Sequence, residues 1–113
     1  MNNQAELPLE VDCRSVSDGL ASKDLVLVDC RENDEHQLVH IAGARLMPLG
    51  QLAERLAELE PYRNERIVVH CHHGGRSLRA ATWLREQGFP KAQSMAGGID
   101  SWAVEIDPSL PRY

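Results

Sequence analysis

The sequence predicts an α/β domain of three layers, in which helices cover both faces of a mainly parallel, five-stranded sheet. Two observations predict this fold. Short, continuous apolar runs rich in β-branched residues recur along the chain, as is typical of strands buried on both faces. Stretches with helical spacing separate these runs, and strands joined through helices pair in parallel by right-handed crossovers.

The predicted elements alternate along the chain. A leucine or alanine recurs every three to four positions in the segment 49–59, which indicates an amphipathic helix. Gly88 suits the left-handed position just past the end of the clearest helix. Predicted strands are 25–28, 43–47, 67–69 and 92–95, and predicted helices are 15–22, 33–39, 49–59, 77–87 and 99–105.

Length and composition limit what the chain can be. Its 113 residues fit one domain, which we place at 11–107 between an N-terminal extension, 1–10, and an irregular C-terminal tail, 108–113. A net charge of −5 and only five aromatic residues disfavour nucleic-acid binding. No run approaches the ~20 apolar residues that span a bilayer, so no membrane partner is expected.

The cysteine count indicates the compartment. The chain has three cysteines, Cys13, Cys30 and Cys71. A small, odd number of cysteines argues against a disulfide framework and favours a reducing environment. The N-terminus also lacks the basic and apolar regions of a secretory signal. We therefore expect the protein in the cytoplasm.

The segment 67–77 carries the strongest chemical signal. A buried strand leads into Cys71, and four residues, His72, His73, Gly74 and Gly75, precede Arg76 and a helix that opens at Ser77. A thiolate is the reactive form of cysteine, and helix N-termini and cations lower its pKa from ~8.5 to about 3.5–7.5. A glycine-containing loop can turn its N–H groups inward as an anion-binding nest. Cys71 is therefore the candidate nucleophile, with loop residues 72–76 as its binding site.

Two alternative interpretations apply to this segment. A lone cysteine at a strand end is commonly buried and inert. Adjacent histidines also suggest a metal, but neighbouring side chains diverge and a second ligand pair is missing, so we predict no metal site.

A second polar cluster, Asp29-Cys30-Arg31, ends the neighbouring predicted strand. We expect Asp29 to brace the active loop, whereas Arg31 either braces it or presents charge to a substrate. Strand alternation turns Cys30 away from these two side chains, which favours a small core residue over a resolving thiol for Cys71. The acidic run 32–35 is interpreted as a solvated helix start.

Together these motifs resemble the rhodanese-like family over about residues 11–107. Met47-Pro48-Leu49 is similar to the family's Ile-Pro-Leu, and cysteine replaces the usual valine at position 30. The other matching motifs are the strand end 27–31, His40-Ile41-Ala42-Gly43-Ala44, the active loop Cys71–Ser77, and the closing segment 96–102 with its Gly-Gly and Trp102.

The resemblance implies a sulfurtransferase. Cys71 would take the outer sulfur of a small donor as a persulfide and pass it to a thiol or cyanide in a two-step reaction. No metal or organic cofactor is needed. The tail 106–113 is similar to rhodanese domains fused to ubiquitin-activating-like adenylyltransferases, which implies a sulfur-carrier protein as a further partner.

Two rival functions stay open. A cysteine-based phosphatase or arsenate reductase also has a cysteine followed by a loop and an arginine. Related phosphatases, however, have five residues between the cysteine and the arginine, instead of the four found here. A non-catalytic sulfur-relay binding module would use the fold only for docking. His72 stands where thiosulfate-using members often have arginine, and a neutral imidazole attracts the thiosulfate dianion less than a guanidinium does.

Overall fold

Five parallel strands form the centre of the protein, in a computed structural model that describes residues 7–113. Their order in the sheet is β1-β5-β4-β2-β3. The predicted fold class is confirmed, and every strand pair is parallel. The strands are β1 Glu10–Val11, β2 Val26–Asp29, β3 Arg45–Leu46, β4 Ile67–His70 and β5 Ala92–Met95.

Helices cover both faces of the sheet. The helices α1 and α4 contact each other on one face, and α3 packs on β4 and β5 on the other. No helix among residues 7–113 is long and apolar enough to cross a membrane. The helices are α1 Cys13–Ala21, α2 Asn33–Leu38, α3 Gly75–Glu86 and α4 Gly98–Glu105.

Alternation along the central strands builds two hydrophobic clusters. Leu27 of β2 and Val68 of β4 point toward α1 and α4. Their chain neighbours Val28 and Val69 point toward α3. All four side chains are at most 1% exposed, so these strands read as continuous apolar runs in the sequence.

The segment 49–59 is not the amphipathic helix that its leucines predict. It forms two short 3-10 helices, Leu49–Gln51 and Leu56–Tyr62, joined by turns. Pro61 lies inside the second of these, where it lacks the N–H that an α-helix needs and its ring would clash with the carbonyl one turn earlier. The spacing predicted burial correctly for Leu52 and Leu59, which are 2% and 0% exposed, whereas Ala53 is exposed.

The fifth strand comes from the start of the described chain. Glu10 and Val11 pair with Ser94 and Met95 at the edge of the sheet, and Ser94 N donates to the carbonyl of Leu9 at 2.7 Å. Residues 1–6 of the predicted N-terminal extension lie outside the described residues. Residues 7–10 of that extension run along the sheet edge.

The register of the central strands positions the polar clusters. Asp29 pairs with His70, so the carboxyl ends of β2 and β4 lie side by side. Cys30 and Cys71, which directly follow β2 and β4, are therefore neighbours. This edge of a parallel sheet is where ligand sites form in open α/β folds.

Replacing Leu59 with alanine should test how far the 3-10 segment contributes to the core. We expect a loss of about 2–5 kcal/mol in the free energy of unfolding, because a fully buried leucine leaves a cavity. Urea denaturation measures it. Leu38, which is 57% exposed, is the control, since Leu38→Ala should change stability by no more than about 0.5 kcal/mol. Equally small losses of stability in both variants would contradict the placement of Leu59 in the core.

Candidate active site

Cys71 lies immediately after β4, at the start of the loop that leads into α3. Its Sγ accepts hydrogen bonds from the backbone N–H groups of Gly74 at 3.1 Å and Ser77 at 3.3 Å. The Ser77 hydroxyl lies 3.5 Å from the same sulfur. These donors surround a side chain that is only 1% exposed, so the sulfur is held in a deep, narrow cradle.

The loop's carbonyl groups are held away from the sulfur. Ile99 N donates to the carbonyl of Cys71 at 2.9 Å, and Asp100 N donates to that of His72 at 3.1 Å. Both donors are in the first turn of α4, where amides have no partner within the helix. Gly98 packs directly against these two carbonyls, and a Cβ there would overlap them.

A second glycine lets the loop turn. Gly74 precedes α3 with a φ of +116°, in the region that side chains disfavour. This conformation directs its own N–H toward Sγ and starts the helix whose positive end faces the sulfur. Gly75, the first residue of α3, is exposed.

The environment lowers the pKa of Cys71 from 9.0 to about 4. The largest cause is the neighbouring Cys30 thiol, followed among the lowering causes by the Ser77 hydroxyl and the N–H groups of Ser77 and Gly74, while burial opposes them. Cys71 is therefore a thiolate at neutral pH, which is the form that a nucleophile requires.

Cys30 lies on the same side of the sheet as Cys71. The prediction that Cys30 is a buried core residue is confirmed by its 0% exposure, and both cysteines belong to the cluster beneath α3. The sequence favoured a core residue over a resolving thiol for Cys71, and the second role stays a prediction. The face to which Cys30 turns, away from Asp29 and Arg31, is also the face on which Cys71 lies.

Asp29 and Arg31 form a buried ion pair beside the loop. The guanidinium donates to both carboxylate oxygens, at 2.9 and 2.7 Å, and both side chains are 0% exposed. Arg31 also donates to the carbonyl of Val39 at 2.7 Å. Both residues thus tie the end of β2 to the segment after α2, and neither contacts Cys71.

Arg76 is held by Glu35, a residue that the sequence analysis assigned to a solvated helix start. The guanidinium donates to both Glu35 oxygens, at 2.7 and 3.0 Å. This contact is the largest cause lowering the pKa of Glu35 to about 2. The acidic run is therefore not merely solvated, because Glu35 is half-buried and orients the loop arginine.

The C-terminal tail also reaches the site. Tyr113 accepts a hydrogen bond from Arg31 at 2.7 Å and donates one to Glu35 at 2.8 Å. Its ring stacks on His72, with centroids 3.9 Å apart and planes at 5°. The tail is irregular, as expected. The sequence did not predict the contacts of Tyr113, because no local pattern indicates them.

His72 and His73 lie side by side above the cradle. Their rings stack with centroids 3.9 Å apart, and their ligand atoms lie within 4.8 Å of one another and of the Asp100 carboxylate. Arg112 donates to both oxygens of that carboxylate, at 2.8 and 3.0 Å. Stacked imidazoles and a carboxylate already paired with arginine do not favour a metal, and the absence of a metal stays a prediction.

Replacing Cys30 with valine should raise the pKa of Cys71 by about one unit or more. The variant removes the thiol that contributes most to lowering the pKa of Cys71. A polar partner of a charged group is worth about 1.5–3 kcal/mol, and one pKa unit corresponds to about 1.36 kcal/mol. The ultraviolet absorbance of the thiolate, titrated with acid, measures the change. Cys71→Ser identifies the signal, and Cys13→Val, a buried cysteine on the other face, should leave it in place. An unchanged titration in Cys30→Val would contradict the effect of the Cys30 thiol.

Comparisons with known proteins place the chain in a family. The model of the family described as "Rhodanese-like domain" matches residues 12–105. The thiosulfate sulfurtransferase GlpE of Pseudoalteromonas translucida is 32% identical, and the alignment covers 82% of this chain and 87% of that protein. A rhodanese-related protein from Thermoplasma volcanium has a similar structure, with a TM-score of 0.76, 28% identity, and coverage of 90% of this chain and 94% of the other.

Other relatives are much longer. The Adenylyltransferase and sulfurtransferase MOCS3 of Arabidopsis thaliana is 32% identical, and the alignment covers 78% of this chain but only 22% of that protein. The chain likewise spans 30% of the length of the Rhodanese-like/PpiC domain-containing protein 12 of the same plant. The resemblance seen in the sequence is confirmed, and the chain belongs to the rhodanese-like domain family.

Proposed function

We propose that the protein transfers sulfane sulfur through a persulfide on Cys71. The thiolate attacks the outer sulfur of a donor, forming a Cys71–S–S bond while the rest of the donor leaves with the electron pair of its broken bond. A thiol or cyanide then attacks the terminal sulfur and releases the Cys71 thiolate. The observation that carries the proposal is the pair of hydrogen bonds, from Gly74 N and Ser77 N, that holds this sulfur as an anion.

The loop also offers groups for the transferred sulfur. The N–H groups of Gly75 and Arg76 belong to the first turn of α3, so they have no carbonyl within the helix to bond to. They are donors for a terminal persulfide anion, and the positive end of the helix adds to their effect. Because Cys71 is only 1% exposed, the site favours transfer of a single sulfur atom over binding of a bulky group.

The charges around the cradle do not favour a dianionic donor such as thiosulfate. Arg31 is paired with Asp29, and Arg76 is paired with Glu35. The residue after the nucleophile is His72 instead of a fixed cation. A thiosulfate dianion would therefore meet arginines whose charge is already compensated, which weakens its attraction to the site.

A sulfur-carrier protein fits the same proposal as acceptor or donor. Relatives of this chain include the Putative sulfur carrier protein YrkF of Bacillus subtilis, 35% identical, and a protein named as both adenylyltransferase and sulfurtransferase. A free thiolate also needs a reducing compartment, and the cysteines here are unpaired. We place the reaction in the cytoplasm on that ground.

Reaction with a sulfur donor should load one sulfur atom onto Cys71. Incubation with thiosulfate or a polysulfide, followed by intact-mass measurement, should show a gain of one sulfur per chain, because the thiolate is ionised at neutral pH. Cyanide or dithiothreitol should remove it.

The control for this measurement is Cys71→Ser, which should gain no sulfur. Full sulfur transfer by that variant would exclude the mechanism. Hydrolysis of a chromogenic aryl phosphate by the wild type, without sulfur loading, would instead favour the phosphatase alternative. Saturable binding of one protein without any loading would favour a non-catalytic module.

Replacing His72 with arginine should raise kcat/KM for thiosulfate about tenfold at low salt. The variant adds a fixed cation beside Cys71, and electrostatic attraction of a charged substrate raises on-rates by about 10–10³. Steady-state kinetics with cyanide as acceptor measures the change, and the gain should shrink at high ionic strength. His72→Gln is the uncharged control. An equal gain with a neutral persulfide donor would show that charge is not the cause.

A further inference from the structure

Cys30 places a second sulfur beside Cys71, and the proposed sulfur transfer does not require it. Asp29 of β2 pairs with His70 of β4, and Cys30 N donates to the carbonyl of His70 at 3.0 Å. The next residues in register are Cys30 and Cys71. Both point into the cluster beneath α3, with exposures of 0% and 1%.

This placement is compatible with a disulfide. Neighbouring strands lie about 4.7–4.9 Å apart, and bridged cysteines have Cα atoms about 4.4–6.8 Å apart. Two cysteines on one face of adjacent strands can therefore be bridged without moving the backbone far. The third cysteine, Cys13, belongs to the cluster on the opposite face and has no comparable path to Cys71.

We propose that Cys30 is the resolving thiol of Cys71: when a hydroperoxide oxidises Cys71, Cys30 closes a reversible disulfide that stops sulfur transfer and protects the nucleophile. In the first step the Cys71 thiolate attacks the peroxide, the O–O bond breaks, and Cys71 becomes a sulfenic acid with release of hydroxide or alkoxide. In the second step the sulfur of Cys30 attacks the sulfenic sulfur, a disulfide bond forms, and water leaves with the Cys30 proton. The peroxide is reduced and the two thiols are oxidised.

The state of Cys71 controls the reactivity of Cys30. The pKa of Cys30 is raised first by the neighbouring Cys71 sulfur, then by burial and by the negative charges of Cys71 and Asp29, while Arg76 lowers it. Once Cys71 is a neutral sulfenic acid, its charge no longer opposes ionisation of Cys30, although burial and Asp29 still do. Oxidation of Cys71 therefore makes Cys30 a better nucleophile than it is beside the Cys71 thiolate.

The test treats the reduced full chain with hydrogen peroxide and measures intact mass, followed by peptide mapping. Wild type should lose two hydrogens through a Cys30–Cys71 bond and should recover fully with dithiothreitol. Cys30→Ser keeps a donor beside Cys71 but has no resolving sulfur. That variant should add two or three oxygens to Cys71, which thiols cannot reverse. Cys13→Ser should behave as wild type.

Either of two results would overturn the proposal. One is addition of oxygens to wild-type Cys71 at the rate seen in Cys30→Ser, with no Cys30–Cys71 bond. The other is full recovery of Cys30→Ser with dithiothreitol. Cys30→Val provides a second variant if serine disturbs the core, and the wild-type mapping is decisive even if neither variant folds. Mass and peptide mapping do not depend on sulfur transfer, so failure here is distinguishable from failure of the proposed function.

Discussion

The site depends on the hydrogen bonds that Gly74 N and Ser77 N donate to the sulfur of Cys71. These bonds exist because the loop carbonyls are occupied elsewhere, by the first-turn amides of α4 at Ile99 and Asp100. Helix α4 thus binds the carbonyl groups of Cys71 and His72, and the N–H groups at the start of α3 face the sulfur. Partial charges of opposite sign are separated in this way, and the sulfur lies where the positive ones converge. A buried thiol would otherwise have a raised pKa.

Fixed charges around the loop are compensated in pairs. Arg31 is paired with Asp29, and Arg76 with Glu35. Tyr113 links the two pairs through its hydroxyl, which bonds to Arg31 and Glu35. Buried and partly exposed ion pairs both contribute little net stability, so their effect here is to fix the positions of the strand end, α2 and the tail. The negative sulfur then depends on oriented amides and hydroxyls more than on a free cation.

Sequence patterns predicted what is local. The apolar runs of β2 and β4 predicted the buried strands, and the spacing from Cys71 to Arg76 predicted the loop, although α3 begins at Gly75, two residues before its predicted start. The 3-10 segments at 49–62 were misjudged because leucine spacing reports burial and not helix type; in the second of them, Pro61 disfavours an α-helix. Glu35 was missed because its contact with Arg76 joins residues 41 positions apart. Tyr113 was missed because its contact with Glu35 joins residues 78 positions apart. Only the folded chain brings such residues together.

Strand register explains why position 30 matters chemically. Alternation along β2 sends Asp29 and Arg31 to one face and Cys30 to the other, where parallel pairing with β4 also places Cys71. Valine, a residue of similar volume, would fill the same core. Cysteine keeps that packing and adds a thiol beside Cys71. Because core volume is preserved, a redox partner at this position requires no change elsewhere in the fold.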